Sequence, residues 1–79
     1  MNWPAYLAVQ SNPKAAAYIR QAKNEIARCA TPANTWHTRT ERKGITRGLH
    51  MAGKLTQDLR DLIDAAIDDA VTQHTERLS

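Results

Sequence analysis

The residues of this chain best suited to binding chemistry are six that would share one side of a helix. If residues 36–54 are helical, these six fall within an arc of about 80° at 3.6 residues per turn. We call them the basic stripe: Trp36, Arg39, Lys43, Arg47, His50 and Lys54. Their cations suit phosphate or carboxylate oxygens, and the indole ring can stack on a base. The pattern predicts that the basic stripe binds a macromolecular partner.

Three interpretations of the basic stripe are open at this point. A charged face opposite an apolar one is what any surface helix shows, so the stripe can simply be a solvated face. It can dock on an acidic protein surface. It can also bind nucleic acid, because each neutralised phosphate releases counterions.

Catalytic and metal-binding patterns are missing from the sequence. The lone cysteine and the three histidines are far apart, with no C-x-x-C or H-x-x-x-H pair. No glycine-rich phosphate loop, nucleophile elbow or cofactor fingerprint occurs. We therefore predict that the protein is not an enzyme and holds neither a metal nor a cofactor.

Charge is divided along the chain. Residues 1–54 hold nine Lys/Arg and two acids, a sum of +7, whereas residues 55–79 hold two Arg and six acids, a sum of −4. Such an asymmetry bears on partners rather than on fold. The C-terminal acids suit the solvated face of an amphipathic helix: Asp58, Asp61, Asp64, Asp68 and Asp69. Alternatively, Asp61, Asp64 and Asp68 share a face that could imitate a run of phosphates toward a basic partner.

Helical signals begin near the N-terminus. Asn2 and Pro4 predict a short helix through about Gln10. Asn12 and Pro13 predict a stronger start, because Asn caps free backbone N–H groups and proline suits the first helical position. Three- and four-residue steps predict one apolar side for a helix over residues 13–30: Ala15, Tyr18, Ile19, Ala22, Ile26 and Cys29.

Residues 33–54 are harder to assign, because four threonines and three glycines lower helix propensity. Helical periodicity nevertheless predicts a helix that begins between Thr35 and Ile45, kinked or broken near Gly44 or Gly53. Its apolar side would hold Ile45, Leu49 and Ala52, opposite the basic stripe. From residue 55 to about 75 the apolar spacing predicts the most secure helix of the chain.

The apolar positions of these last two segments nearly fit a heptad seam. One core position would hold Ile45, Ala52, Leu59 and Ala66, and the other Leu49, Ile63 and Ala70. The simpler interpretation is packing against helix 13–30. The alternative is a self-association seam, since small residues allow close approach, and this would make the protein a homodimer.

These observations predict a single all-α domain over residues 1–79, a small bundle of three or four helices with the C-terminal helix packed on helix 13–30. The lone Cys29 excludes an intrachain disulfide and suits a reducing compartment. No export signal and no membrane span is visible, so we expect a cytoplasmic protein without a membrane partner.

The predicted function is that of a small non-catalytic binding protein. In this interpretation the basic stripe docks on an acidic or nucleic-acid-guiding surface and inhibits or regulates a larger macromolecular complex. Small basic proteins of this kind are common among phages, so one form would be a phage-encoded inhibitor of host defence, similar in role to an anti-CRISPR. The alternative function is a small nucleic-acid-binding regulator or accessory factor.

Overall fold

The architecture of the chain is seen in a computed structural model, which describes residues 12–78. Three helices occupy this range: α1 over Pro13–Ala27, α2 over Pro32–Met51 and α3 over Gln57–Leu78. The all-α prediction is confirmed there, and the helix predicted through Gln10 lies outside the described residues. No helix within 12–78 is long and apolar enough to cross a membrane.

The first helix follows its sequence signals closely. Asn12 Oδ1 accepts a hydrogen bond from the Ala15 N–H at 3.1 Å, and Pro13 occupies the first helical position. Ala15, Ile19, Ala22 and Ile26 are buried, as the periodicity predicts. The helix ends at Ala27, three residues before the predicted end at residue 30. Pro32 instead begins the next helix, because its fixed φ and missing N–H suit a first helical position.

The second helix is longer and more regular than the sequence predicts. It begins at Pro32, after Thr31 caps it by accepting the Asn34 N–H at 3.1 Å, and it continues through Gly44 without interruption. Its buried side chains are three threonines, Thr35, Thr38 and Thr46. Small β-branched side chains allow the helices to approach closely, and a threonine hydroxyl can hydrogen-bond to its own helix. Thr35 does this at 2.9 Å to the Thr31 carbonyl oxygen.

The break predicted near Gly53 is present and has a defined geometry. Gly53 has φ +74°, its N–H donates to the His50 carbonyl oxygen at 3.0 Å, and the Lys54 N–H donates to the Leu49 carbonyl oxygen at 2.9 Å. This pair of bonds is a Schellman motif, which satisfies the last carbonyl groups of a helix and favours glycine at the left-handed position. The turn reverses the chain, so that α3 runs back along α2.

The core lies chiefly between α1 and α3. Ile19, Ile26, Ile63, Ile67 and Val71 are buried together with two alanines of α1, and Tyr18, Leu55 and Leu59 pack on their edge. The predicted packing of the C-terminal helix on helix 13–30 is therefore confirmed. Helix α2 runs antiparallel to both partners, as its contacts with residues early and late in each of them require.

The predicted apolar side of α2 is wrong. Ile45 is 48% exposed and Leu49 39% exposed, and Ala52 is exposed as well. The predicted heptad pattern is not continuous, because the turn at Gly53 separates its first half, on α2, from its second half, on α3. Helix α2 packs instead through its threonines, and one of them, Thr46, donates to Oδ1 of Asp64 on α3 at 2.8 Å.

Substitution by alanine should have opposite effects on stability at Gly48, within α2, and at Gly53, in the turn that follows it. Gly53→Ala should lower the free energy of unfolding by about 1–2 kcal/mol, because a Cβ disfavours the left-handed conformation. Gly48→Ala should raise it by about 0.5–1 kcal/mol, because alanine favours a helix interior. A Cβ at either position meets no atom within 4 Å, so packing does not confuse the comparison. Urea unfolding followed by circular dichroism measures both, and equal effects would contradict the assigned turn.

Substitutions at Ile67, in the observed core, and at Ile45, on the predicted apolar side of α2, distinguish the two assignments. Ile67→Ala should destabilise the protein by about 2–5 kcal/mol, because it leaves a cavity between α1 and α3. Ile45→Ala should change stability by no more than about 0.5 kcal/mol, as surface substitutions do. Thermal and urea unfolding of the two variants provide the measurement, and a large loss from Ile45→Ala would restore the predicted stripe as core.

Candidate partner-binding site

Two cations of the basic stripe converge on one acid of α3. Arg39 Nε lies 2.7 Å from Asp68 Oδ1, and Lys43 Nζ lies 3.1 Å from Asp68 Oδ2 and 3.3 Å from Oδ1. We call this three-residue cluster the Asp68 clamp. A carboxylate that accepts hydrogen bonds from two cations fixes the rotation of α2 about its axis, because Arg39 and Lys43 lie one turn apart on the same helix. These two residues therefore serve the fold as well as the surface.

The Asp68 clamp also positions the exposed tryptophan. The Arg39 guanidinium carbon lies 4.7 Å from the centroid of the Trp36 ring, and the tryptophan is 54% exposed. A guanidinium over an indole face is attracted by the ring quadrupole. Because Asp68 holds Arg39 and Arg39 lies over the ring, one contact between helices orients an aromatic side chain at the surface.

The other three residues of the stripe have different roles. Arg47 is exposed and has no ion pair within residues 12–78. Lys54 is exposed too, but it lies in the turn after α2 rather than on the helix. His50 is half-buried, and its Nδ1 donates to the Leu55 carbonyl oxygen at 2.9 Å, which ties the turn together. The six residues of the stripe therefore differ in their surroundings. Arg39 and Lys43 belong to the clamp and Trp36 lies against Arg39, Arg47 is a cation without an ion pair in the described range, and His50 and Lys54 lie at the turn.

The electrostatics of the clamp are dominated by its ion pairs. Partial burial alone would raise the pKa of Asp68, but hydrogen bonds from Arg39 and Lys43 and the positive charge of both lower it below its usual value. The carboxylate is therefore ionised near neutral pH. Its charge offsets part of the positive charge that the sequence assigns to the stripe.

A second ion pair, between α1 and α2, is missed by the sequence analysis. Arg42 Nε donates to Glu25 Oε2 at 3.1 Å, its Nη2 donates to the same oxygen, and its guanidinium carbon lies 5.2 Å from the Tyr18 ring centroid. The hydrogen bond to Glu25 raises the pKa of Arg42, and burial raises the pKa of Tyr18. The spacing of Thr35, Thr38, Arg42 and Thr46 at three- and four-residue steps is the signal that could have revealed this inner face.

Most of the large hydrophobic side chains that are exposed in the described part of the chain belong to α2. Five large hydrophobic side chains are exposed between residues 12 and 78, and four of them belong to this helix: Trp36, Ile45, Leu49 and Met51. Met51 is 75% exposed. At 3.6 residues per turn, Trp36 and Arg47 border one flank of the outer face, and Ile45, about 160–180° around the helix from them, borders the other, whereas Leu49 projects between Thr38 and Arg42. The outer face of α2 thus combines an aromatic, a free cation and aliphatic groups.

Nucleophilic and metal-binding groups do not assemble in the part of the chain that the structure describes. No group of three or more His, Cys, Asp or Glu side chains there could hold a metal ion. Cys29 is half-buried, with its Sγ 3.4 Å from Thr38 Oγ1, and His74 Nε2 donates to the Cys29 carbonyl oxygen at 2.7 Å. These contacts join the ends of the helices. The arrangement at α2 can bind and orient a partner through charge and apolar area.

Removal of the Asp68 carboxylate should cost stability in a pH-dependent way. Asp68→Asn should lower the free energy of unfolding at pH 7 by roughly 0.5–1 kcal/mol, as for partly exposed ion pairs. The folded pKa lies below the unfolded value of about 3.9, so the contribution is present above that value and is lost as pH falls through the folded pKa. Urea unfolding between pH 3 and 7 measures the difference from wild type. Asp69→Asn is the control, because Asp69 is the exposed neighbour; equal losses from both variants would contradict the clamp.

Comparison with known proteins gives no relative from which a function could be transferred. No family model matches this chain, no curated protein matches it, and no solved structure matches it. An inference about its function therefore comes from its own residues and contacts.

Proposed function

We propose that this protein is a non-catalytic binding protein that inhibits or regulates a larger macromolecular complex by docking the outer face of α2 on an acidic protein surface. The observation that carries the proposal is the exposed Trp36, which Arg39 and Asp68 hold in place. Trp and Arg are the residue types that most often dominate the energy of protein interfaces. An anchor held by its own chain loses less conformational entropy on binding.

Charge on the outer face favours an acidic partner. Trp36 and Arg47 lie on nearly the same side of α2, eleven residues apart, which corresponds to about 16 Å along the axis. Arg47 and Lys54 carry no ion pair within the described range, so their charge is available to a partner. Complementary charge accelerates association and excludes partners of the wrong sign.

The aliphatic side chains complete the surface. Ile45, Leu49 and Met51 expose apolar area on the same helix as the tryptophan and the free cation. Protein interfaces bury apolar side chains as well as charged ones. An apolar surface of this kind contributes little to binding a phosphate backbone, whereas a protein partner can bury it.

The clamp also argues for a protein over nucleic acid at this face. A phosphate chain that contacted Arg39 and Lys43 would have to displace the Asp68 carboxylate, which already accepts hydrogen bonds from both. Since counterion release depends on the number of cations that meet phosphates, two occupied cations weaken nucleic-acid binding at the stripe. A phage-encoded inhibitor of host defence, similar in role to an anti-CRISPR, is one specific form that such a binding protein could take, and it stays a prediction.

A double variant on the outer face tests the proposal. Trp36→Ala with Arg47→Glu should reduce capture of the partner at least tenfold, because loss of an interface anchor costs about 2 kcal/mol or more. Both side chains are exposed, so the fold should persist. Arg39→Glu is unsuitable, because a glutamate there would face Asp68 and disturb the packing of α2. The measurement is quantitative affinity capture from a nuclease-treated lysate of the source cells.

The matched control for this experiment makes the same kinds of change away from α2. Lys14→Glu with Leu78→Ala combines one charge reversal and one apolar truncation at exposed positions of α1 and α3. We expect this control to retain the proteins that wild type captures. Retention of the same proteins by the Trp36→Ala, Arg47→Glu variant would show that the outer face of α2 is not the docking surface.

A further inference from the structure

The unpaired positive charge of the described residues lies mainly away from the basic stripe. Arg20 and Lys23 on α1, and Arg28 at its C-cap, are exposed and have no ion pair within residues 12–78. Glu25, the one acid among the residues of α1, turns inward and is neutralised by Arg42. The outer side of α1 is therefore cationic without an opposing acid of its own helix. From the sequence alone, the side of α1 that holds Arg20 and Arg28 is predicted only to face solvent. The pairing of Glu25 with Arg42 cannot be read from the sequence, because the two residues are far apart in the chain.

A groove beside this face brings in a cation from another helix. It has a volume of about 270 Å³ and opens between α1 and α3, with Lys23 and Asn24 on one wall and Gln73 and Arg77 on the other. The hydrogen bond from His74 to the Cys29 carbonyl oxygen, at 2.7 Å, joins the two walls at one end. Asp69 is the acid among the lining residues. Ammonium, guanidinium and two side-chain amides on facing walls suit the phosphate and sugar oxygens of a nucleotide chain.

The dimensions of the cationic face suit a nucleic-acid strand. Arg20 and Arg28 are eight residues apart, which corresponds to about 12 Å along α1 at 1.5 Å per residue. One strand of a duplex carries a phosphate roughly every 3.4 Å of helix axis, so this length covers about three phosphates. Of the six acids of α3, Asp58, Asp61 and Asp64 lie in its first half, and of the three in its second half only Asp69 is among the residues that line the groove.

We infer that the outer side of α1 and the groove between α1 and α3 bind the phosphate backbone of a nucleic acid through Arg20, Lys23, Arg28 and Arg77. This surface is separate from the outer face of α2, so the inference goes beyond the proposed function and does not depend on it. A protein with both surfaces could contact a protein and its nucleic acid in one complex. Contacts to phosphate fix position and carry no base sequence, so binding at this face is insensitive to sequence.

The test compares two double variants that remove the same charge from opposite faces. Arg20→Gln with Lys23→Gln alters the α1 face, and Arg47→Gln with Lys54→Gln alters the α2 face; all four side chains are exposed. Fluorescence anisotropy measures binding of labelled 20-nucleotide duplex DNA, single-stranded DNA and single-stranded RNA between 50 and 200 mM salt. Circular dichroism confirms that each variant is folded.

We expect the α1 variant to weaken binding at least tenfold at 100 mM salt and to reduce the slope of log K against log salt by about 2, because two phosphate contacts are lost. The α2 variant should stay within about twofold of wild type, since distant charges are screened beyond roughly 10 Å at this salt. The three probes decide whether the strand is duplex or single. Equal weakening by both variants, or no binding of any probe at 50 mM salt, would overturn the inference.

Discussion

The orientation of α2 depends on polar contacts to both neighbouring helices: Asp68 with Arg39 and Lys43 joins it to α3, and Glu25 with Arg42 joins it to α1. The ionised carboxylate of Asp68 lies between α2 and α3, where it is stabilised by Arg39 and Lys43. Both cations project from the same side of α2. The hydroxyl of Thr46, 2.8 Å from Asp64 Oδ1, adds a second polar contact along the same seam. Together these contacts turn the threonine face of α2 inward, because that face is small enough to pack and polar enough to meet the acids of α3.

The same rotation decides what α2 presents outward. Once the threonines are buried, Ile45, Leu49 and Met51 lie outside the core and remain exposed on α2, as does Trp36. In a small domain, whose core stabilisation is limited, four large apolar side chains outside the core represent area that folding does not use. Such area is typical of a surface that a partner covers. The apolar core between α1 and α3 thus provides the stability, and the polar seam of α2 sets the geometry of the proposed docking face.

The distribution of free charge separates two surfaces that look like one in the sequence. Pairing with Asp68 and Glu25 takes three arginine or lysine side chains of α2 into contacts between helices, Arg39, Arg42 and Lys43. The cations of α1 have no such partners within the described range. Positive charge that is used internally holds helices together, whereas unpaired charge on an exposed helix is available to phosphates. Net charge alone would not distinguish these roles.

Local signals were sufficient to predict α1, α3 and the end of α2, because caps, prolines and periodicity act over a few residues. Asn12 and Pro13 begin α1, Gly53 ends the α2 region, and the apolar spacing of Ile19, Ile26, Ile63 and Ile67 marks the core. The start of α2 at Pro32 was not predicted. The side of α2 that faces inward, and the cations that remain without an ion pair, depend on the packing of the three helices. Those outcomes depend on acids far along the chain, Asp64 and Asp68 against α2 and Glu25 against Arg42. The periodicity of α2 favoured its aliphatic side, but polar contacts across the helix interface outweighed it, and such contacts leave no local pattern in the sequence.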